Sequence, residues 1–318
     1  TKTVKVRETQ SCIVPVDKKN FKIEIEYSIK NNGPGTLKEL GCFASTPQTY
    51  KPFQIVKEVN PSISNTDVVY DQSWNKITHF DFEGEELEPG EELTATIVCD
   101  VDMLQFDFLD MDYRSLKYSE EDDDLVLYTM DDLYIDSGHP EIRKTATEVI
   151  GDEERPAVIM EKLYNFVINH LNYDYQRAED RNYPLLYASE ILDRGEGVCA
   201  DYAILYTALL RASGIPSRVA SGIPIYTMLL EGGQLSMGHA WVEIKFPEFG
   251  WLPVDITIEN RFMARDMNMN LVTQRGSGFL HKNTTMDWSS YYYDGFSYSW
   301  EEDEAPDVEQ QLSYSIRE

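Results

Sequence analysis

The sequence has few cysteines, and this scarcity limits what can hold the protein together. Its 318 residues include four, at Cys12, Cys42, Cys99 and Cys199, which is too few for a disulfide-stabilised scaffold. None of them lies in a CxxC or Cys/His spacing that indicates a zinc site. We therefore expect neither a metal nor another cofactor.

Long hydrophobic runs and basic patches are also missing. No apolar stretch approaches the roughly 18 residues of a membrane-spanning helix, so we expect no membrane span. Asp and Glu number 56 against 28 Lys and Arg, which gives a formal net charge of −28. Because nucleic acids and anionic membranes bind clustered Lys and Arg, we expect no nucleic-acid partner. Solubility is the simplest interpretation of this acidic charge.

The first residues, TKTVKVRE, contain no apolar segment of the kind found in signal peptides. If Cys199 must stay a free thiol, the other three cysteines are an odd number, which favours a reducing compartment. We therefore expect a cytoplasmic protein. If a signal peptide was trimmed from this sequence, the expectation changes to a secreted or cell-surface protein. The pattern does not indicate an oligomeric state.

Alternating apolar and polar residues predict strands throughout residues 1–108. The alternation is clearest in Phe21–Ile29 (FKIEIEYSI) and Glu92–Leu104 (ELTATIVCDVDML). Turn signals at Asn31–Gly35 and Glu83–Glu91 separate such segments. Short strands at this spacing predict an all-β, immunoglobulin-like sandwich. The region contains no cluster of catalytic residue types, so we interpret it as a scaffold or recognition domain.

Residues 109–138 are predicted to be a linker. The charge run Tyr118–Asp124 (YSEEDDD) is typical of a solvated loop. It lacks the spacing and the glycine of an EF-hand, which argues against a calcium site.

Residues 139–318 are predicted to form a second, α+β domain. Pro156–Leu171 carries apolar residues at helical spacing, and another helix is predicted from Cys199 to Ala212. Strand-like segments follow (SRVASGI, HAWVEIKF and GWLPVDITI), and helices that lead into an antiparallel sheet indicate an α+β fold. We assign to the same domain the aromatic-rich strands predicted after Asp287 and the acidic tail at Glu301–Asp307.

Cys199 stands where the chemistry of a thiol changes most. It lies at the first turn of the helix predicted within GVCADYAILYTALLRASGIPSRV. The unpaired N–H groups and the macrodipole of a helix N-terminus stabilise an anion. Gly195 and Gly197 let the backbone turn sharply and leave the sulfur approachable. Taken alone, a cysteine at a helix start is more often packed than catalytic.

A nucleophilic cysteine needs a histidine partner and a carboxylate that orients it. His239 opens the strand GHAWVEIKF, and Asp255 ends the next strand, GWLPVD, after a hairpin. Adjacent antiparallel strands can set these two side chains beside each other on one face. The remaining histidines have no strand-end carboxylate at hairpin distance: His79, His139, His170 and His281. The pattern therefore predicts a site formed by Cys199, His239 and Asp255.

Two segments, GVCADYAILYTALLRASGIPSRVASG and GHAWVEIKFPEFGWLPVDIT, resemble in their order the transglutaminase-like superfamily. The resemblance covers roughly Pro140–Ile258 and implies a papain-like core with a Cys–His–Asp triad. More loosely, KPFQIVKEVNPS and ELEPGEEL look like the β-sandwich often found ahead of this core. One position departs from the family pattern, since Ile256 stands where the family usually has a proline after the triad aspartate.

The resemblance implies a role for each triad residue. It assigns Cys199 as the nucleophile, His239 as the general base and acid, and Asp255 as the residue that orients the imidazole. The backbone N–H of Cys199 is one candidate donor to the oxyanion.

Several further residues are candidates for supporting roles. A second oxyanion donor is expected upstream of the helix, or else the same side chains pack beneath it: Tyr173, Tyr175 and Gln176. Trp241 is expected beside the triad or as a wall of the substrate groove. Asp201 and Arg218 look structural, as a helix cap and an ion-pair partner.

The implied chemistry is attack of a cysteine thiolate on an amide of a protein or peptide substrate, which yields a thioester. Resolution by water makes a peptidase or amidase, an amine acceptor makes a transglutaminase, and attack on a glycosylated asparagine makes a deglycosylating amidase. We expect water, because it is always available and no feature that guides an amine is visible. A catalytically silent interaction module that kept the fold is the alternative from another class.

Overall fold

The computed structural model describes residues 13–71, 73–108, 117–118, 124–179, 184–247, 249–257, 262, 269–276, 295–301 and 305–317. Within these ranges the chain forms a two-sheet β-sandwich and a unit of helices packed on a further sheet. The predicted order, an all-β region followed by an α+β region, is confirmed. Cys12, His281 and residues 119–123 of the predicted charge run lie outside the described residues.

The first sheet of the sandwich is antiparallel and orders its described strands β10-β15-β1-β6-β3. Their bounds are β1 (Ile13–Gly33), β3 (Gln54–Pro61), β6 (Glu92–Phe108), β10 (Gln234–Leu235) and β15 (Asp307–Arg317). Every second residue of β1 from Phe21 to Ile29 is buried, because successive side chains of a strand point to opposite faces.

The second sheet of the sandwich orders its described strands β14-β2-β5-β4. Their bounds are β2 (Lys38–Ser45), β4 (Thr66–Tyr70), β5 (Lys76–Asp81) and β14 (Gly295–Ser299). The two sheets enclose one hydrophobic core, in which Ile23 and Ile97 from one sheet meet Phe80 and Phe296 from the other.

The C-terminal strands belong to the sandwich, which corrects their predicted assignment to the second domain. β15 pairs with β1 along the whole stretch from Asp307 to Arg317, and β14 pairs with β2. Tyr314 of β15 is buried in the sandwich core. An alternating pattern indicates that a segment is a strand, but it is compatible with pairing to any neighbouring strand. The sequence therefore did not reveal which sheet these strands join.

The second unit contains a four-stranded antiparallel sheet in the order β12-β11-β9-β13. Its strands are β9 (Ser217–Pro224), β11 (His239–Phe246), β12 (Gly250–Val254) and β13 (Asn270–Arg275). β11 and β12 form the hairpin that the sequence predicts. β13 lies at the edge of the sheet.

Three of the described helices, α2, α3 and α5, pack around the buried helix α6. The described helices are α1 (Asp124–Leu127), α2 (Pro140–Ile150), α3 (Pro156–His170), α4 (Tyr175–Glu179), α5 (Ala188–Arg194), α6 (Cys199–Ala212) and α7 (Ile225–Leu230). α6 packs against α2, α3 and α5 and against β9 and β11. Its residues are buried from Cys199 to Arg211, as expected for a helix that is apolar on all sides.

None of the helices in the described ranges could cross a lipid bilayer. The longest of these, α3, has 15 residues, whereas a membrane-spanning helix needs about 20 predominantly apolar residues.

Part of the second unit packs into the hydrophobic core of the sandwich. Ile223 at the end of β9, Leu271 of β13 and both Ile225 and Met228 of α7 pack among the sandwich residues. The two-residue strand β10 follows α7 and pairs with β15. The segment between β9 and β11 is therefore anchored on the sandwich.

The position of β15 predicts that a substitution near the C-terminus destabilises the sandwich. Tyr314→Ala removes a buried ring and should lower the free energy of unfolding by about 3–5 kcal/mol, the usual range for a large aromatic side chain in a core. Gln311→Ala, at an exposed site of the same strand, should change it by no more than about 0.5 kcal/mol. Equal, small effects of both variants in urea denaturation would contradict the placement of β15.

Candidate active site

Cys199 is the first residue of α6, and its position is fixed by the packing of that helix. Its side chain lies at the edge of the core with 9% of the residue exposed. Val198, the residue before the helix, is extended, and its N–H donates to Asp201 Oδ2 at 2.8 Å. Asp201 is therefore the helix cap that the sequence predicts, and it satisfies one of the backbone donors that a helix start leaves unpaired.

The two glycines before Cys199 have different roles. Gly195 follows α5 with φ +70°, a left-handed conformation that glycine adopts without strain. Gly197 instead provides space, because a Cβ at this position would lie 2.5 Å from Cβ of Asp201. A side chain at Gly197 would thus displace the cap of α6. The predicted sharp turn is therefore found at Gly195. Glycine is needed at Gly197 because the side chain of Asp201 approaches its backbone closely.

A buried ion pair ties the segment before Cys199 to the first turn of α6. Arg177 Nη1 of α4 lies 3.0 Å from Asp201 Oδ2, and Arg177 Nη2 donates to the carbonyl of Pro184 at 2.6 Å. Burial raises the pKa of Asp201, although the Val198 N–H and the charge of Arg177 act in the opposite direction. Sequence reasoning missed Arg177, since nothing in a local pattern links it to an aspartate in a different helix.

Tyr173 lies against the nucleophile candidate. The short strands β7 (Asn172–Tyr173) and β8 (Glu196–Gly197) pair in parallel and place Tyr173 beside Gly197. The phenol of Tyr173 is close enough to the start of α6 for Cys199 to act on the pKa of Tyr173. Burial raises the pKa of Tyr173, so its hydroxyl keeps the proton that it can donate.

The structure distinguishes Tyr173 from the other two upstream candidates. Tyr175 is 77% exposed, and Gln176 is also exposed on α4. The ring of Tyr175 packs on the outer side of Tyr173, with the two ring centroids 5.0 Å apart.

His239 and Asp255 meet as a hydrogen-bonded pair at one end of the sheet. Val242 of β11 pairs with Val254 of β12, and paired residues point to the same face. Asp255 is one residue after Val254 and His239 is three residues before Val242. Because successive side chains alternate, both therefore point to the opposite face and lie on the same side of the sheet. His239 Nε2 lies 2.7 Å from Asp255 Oδ2. Cys199 lies close enough to His239 to raise the pKa of the imidazole. The structure therefore brings the three predicted residues together in the order Cys199, His239, Asp255.

The electrostatic setting keeps His239 and Asp255 charged. Burial by itself lowers the pKa of His239, but the negative charge of Asp255, the hydrogen bond to Asp255 and the proximity of Cys199 outweigh it and raise this pKa well above 6.5. Burial favours the neutral form of Asp255 as well, yet the charge of His239 and the hydrogen bonds from His239 and Thr257 lower the pKa of Asp255 below its ordinary value.

Asp255 is itself held in place by residues that sequence reasoning missed. Thr257 donates its backbone N–H at 3.0 Å and its hydroxyl at 2.7 Å to Asp255 Oδ1. Tyr164 Oη donates to the carbonyl oxygen of Asp255 at 3.4 Å. An aspartate that accepts from the backbone N–H two residues later forms an Asx turn. The local sequence Asp255–Thr257 (DIT) could therefore have indicated the contact of Thr257 with Asp255. Ile256, where the family usually has proline, is buried within this turn.

Trp241 does not wall a groove, which corrects one expectation. It is 1% exposed and lies behind His239, with the two ring centroids 6.1 Å apart and the planes inclined by 29°. Arg218 is the ion-pair residue that the sequence predicts, since its Nη2 lies 2.8 Å from Glu243 Oε2.

The other histidines of the described ranges have structural contacts. His79 stacks on Phe43, His139 Nδ1 accepts from a backbone N–H at the start of α2, and the ring of His170 bonds to the carbonyl of Leu192. Among the residues with described positions, no three His, Cys, Asp or Glu side chains are grouped so that they could hold a metal ion.

Comparison with known proteins gives a family match over the region that contains the site. The model of the transglutaminase-like superfamily matches residues 143–256. A protein-glutamine gamma-glutamyltransferase of Pseudomonas aeruginosa is 32% identical over 134 residues, which are 38% of this chain and 19% of that protein. A protein of Pyrococcus horikoshii is 35% identical over 96 residues, 29% of this chain and 28% of its own length. The chain thus spans less than a third of these curated relatives.

One solved structure resembles nearly the whole chain. It is titled a "Putative Cysteine Protease" from Cytophaga hutchinsonii, with a TM-score of 0.63 and 14% sequence identity over 96% of this chain and 100% of that chain. At this identity the likeness concerns the fold, and it extends across both the sandwich and the helical unit. The family match identifies residues 143–256 as a transglutaminase-like core.

Proposed function

We propose that the protein is a cysteine-dependent acyl-transfer enzyme that attacks an amide of a protein or peptide substrate. The observation that carries the proposal is the hydrogen bond of 2.7 Å between His239 Nε2 and Asp255 Oδ2, together with the proximity of Cys199, which raises the pKa of His239. A thiol, a base and an orienting carboxylate in this order are the parts that nucleophilic catalysis by cysteine requires.

In the first step the Cys199 sulfur attacks the carbonyl carbon of the substrate amide. The thiol proton resides on His239 Nδ1, and the imidazolium so formed is stabilised by the Asp255 carboxylate. The tetrahedral intermediate then collapses as its C–N bond breaks. His239 gives its proton to the leaving nitrogen, so an amine departs and a thioester to Cys199 remains.

The oxyanion of the tetrahedral intermediate needs donors that are already in place. We assign the donors as the backbone N–H of Cys199, the first residue of α6, and the phenol O–H of Tyr173, which pairs with Gly197 just before that helix. The ion pair of Arg177 with Asp201 joins the segment that carries Tyr173 to the helix that carries Cys199. Donors held by fixed structure stabilise the developing charge without reorganisation.

In the second step water resolves the thioester. His239 takes a proton from the water as its oxygen attacks, the C–S bond breaks, and the thiolate of Cys199 is restored beside the imidazolium. The products are a carboxylic acid and the amine released earlier, so the reaction is amide hydrolysis. The name of the solved structure similar in fold, a cysteine protease, agrees with this outcome.

An amine acceptor is the second candidate for the resolving step. The Pseudomonas relative is named a protein-glutamine gamma-glutamyltransferase, and its similarity to this chain favours testing the alternative. In that reaction a lysine amine attacks the same thioester, so the two activities share Cys199, His239 and Asp255 and differ in the acceptor.

Substitution of the nucleophile tests the proposal directly. Cys199→Ala should reduce product formation from a casein substrate to background, with and without an added primary amine, because no thioester can form. Mass spectrometry of the products separates cleavage or deamidation from amine incorporation. The melting temperature should stay close to that of the native protein, since the side chain is small and lies at the edge of the core.

Cys99→Ala is the matched control for that variant. Cys99 is buried in the sandwich, where burial raises the pKa of its thiol to about 12, so the variant should lose stability but keep its activity. Activity that survives in Cys199→Ala would contradict the proposal.

The charge of Asp255 should set the protonation of His239. In Asp255→Asn the opposing effect of burial dominates, so the pKa of His239 should fall from well above 6.5 to that value or below. NMR titration of the imidazole measures it, and Thr257→Val, which keeps the charge, should cause a smaller change. An unchanged pKa in Asp255→Asn would exclude the proposed role of the carboxylate.

The same pair should stabilise the fold, and denaturant unfolding across the pH range should show one contribution lost as pH rises and the other lost as pH falls. The raised pKa of His239 stabilises the fold below about pH 6.5, and this contribution is lost as pH rises through the raised value. The lowered pKa of Asp255 stabilises the fold above pH 3.8 and its contribution is lost as pH falls through the lowered value.

The tyrosine pair tests the oxyanion donor. Tyr173→Phe should lower kcat by roughly a hundredfold, the usual effect of losing one such donor, with little change in the rate at which Cys199 is alkylated. Tyr175→Phe, at the exposed neighbour, should behave like the native protein. If both variants keep full turnover, Tyr173 only packs beneath the helix.

A further inference from the structure

The sandwich closes the open edge of the sheet that carries His239. Gln54 Nε2 donates to the carbonyl of Val272 at 2.9 Å, and Gln54 Oε1 accepts from its N–H at 2.8 Å. Asn75 makes the same pair of bonds to the backbone of Arg275, both at 2.8 Å. Each side-chain amide thus replaces the peptide group of a neighbouring strand. These contacts fix β13 on the sandwich.

The segment that carries Gln54 also brings an aromatic ring onto this sheet. Tyr50 and Gln54 exchange two backbone hydrogen bonds of 3.0 Å, which form a tight turn. The ring of Tyr50 packs with Trp241, Ala220 and Val272. The guanidinium of Arg275 lies over that ring, 3.4 Å from its centroid. Burial raises the pKa of Tyr50 to about 12, so the ring stays neutral at physiological pH.

Packing alone orients the indole of Trp241. Its Nε1 is buried and finds no hydrogen-bond partner among the described residues. The ring of Tyr50 packs against the cluster that contains Trp241, and the imidazole centroid of His239 lies 6.1 Å from that of the indole. A side chain that lacks a hydrogen bond keeps its orientation only as well as its neighbours fill the space around it.

We propose that Tyr50, a residue of the N-terminal sandwich, is a positioning residue for His239 and acts through Trp241. The inference rests on the proposed function, because it concerns the orientation of the catalytic imidazole. With Tyr50 in place, the indole supports the imidazole so that Nε2 stays on Asp255 while Nδ1 faces Cys199. The sandwich is then a required part of the catalytic unit.

The charged groups beside this contact are paired with one another. Arg275 and Arg218 both pair with the buried Glu243, at 2.6 Å and 2.8 Å. The charges of the two arginines lower the pKa of Glu243 even though its burial acts in the opposite direction. The groups that raise the pKa of His239 are Asp255 and Cys199. A change at Tyr50 should therefore reach His239 through packing, with no new charge introduced.

The test compares Tyr50→Ala with Tyr50→Phe in the full-length protein. Iodoacetamide serves as the probe, and peptide mapping gives the alkylation rate of Cys199 at neutral pH. We expect Tyr50→Ala to lower this rate by roughly tenfold or more, since a displacement of about 1 Å can cost up to a hundredfold. The pKa of His239, followed by NMR, should shift with it. Tyr50→Phe keeps the ring and should restore both values.

Tyr27→Ala is the matched control, because it removes a buried tyrosine ring from the sandwich core away from Trp241. It should cost stability but leave the alkylation rate and the pKa of His239 unchanged. If Tyr50→Ala does not fold, Tyr50→Leu replaces it, with the same expected direction of change.

Two results would overturn the inference. One is a Tyr50→Ala variant with the native alkylation rate and the native pKa of His239. The other is an equal loss in Tyr27→Ala, which would mean that general destabilisation is the cause. If native Cys199 is itself unreactive, the proposed function fails, and the NMR titration still decides whether Tyr50 positions His239.

Discussion

The burial of α6 on all sides is the constraint on which the rest of the site depends. Because three helices and two strands enclose it, α6 can neither rotate nor slide without opening a cavity in the core. The sulfur of Cys199 is therefore held at one point relative to the sheet. The cap by Asp201 fixes the first turn, and Gly197 leaves the space that this cap needs.

A fixed thiol is useful only if its partners are fixed in the same frame. The hairpin of β11 and β12 supplies His239 and Asp255, and the Asx turn of Thr257 directs the carboxylate. The sheet is braced in turn by amide side chains from the sandwich. The fold thus links a short chain of hydrogen bonds to contacts that extend across both parts of the molecule.

Local patterns were enough to predict the strands of the sandwich, the α6 helix and the β11–β12 hairpin. Each of these depends on residues close in sequence, so period and turn chemistry reveal them. The placement of β15 was predicted wrongly, because no local sequence pattern shows which distant strand a segment pairs with. Arg177 and Tyr50 were missed for the same reason. Thr257 could have been found from the Asx-turn signal that follows Asp255.

The central claim is that Cys199 and His239 act as one unit, and the pH dependence of Cys199 alkylation tests it most directly. The rate would be measured by peptide mapping in the native protein and in His239→Ala. We predict rapid reaction of the native thiol near neutral pH and below, where a free thiol with a pKa of about 8.5 is mostly protonated, and slow reaction in the variant. Equally slow reaction in both proteins would contradict the account.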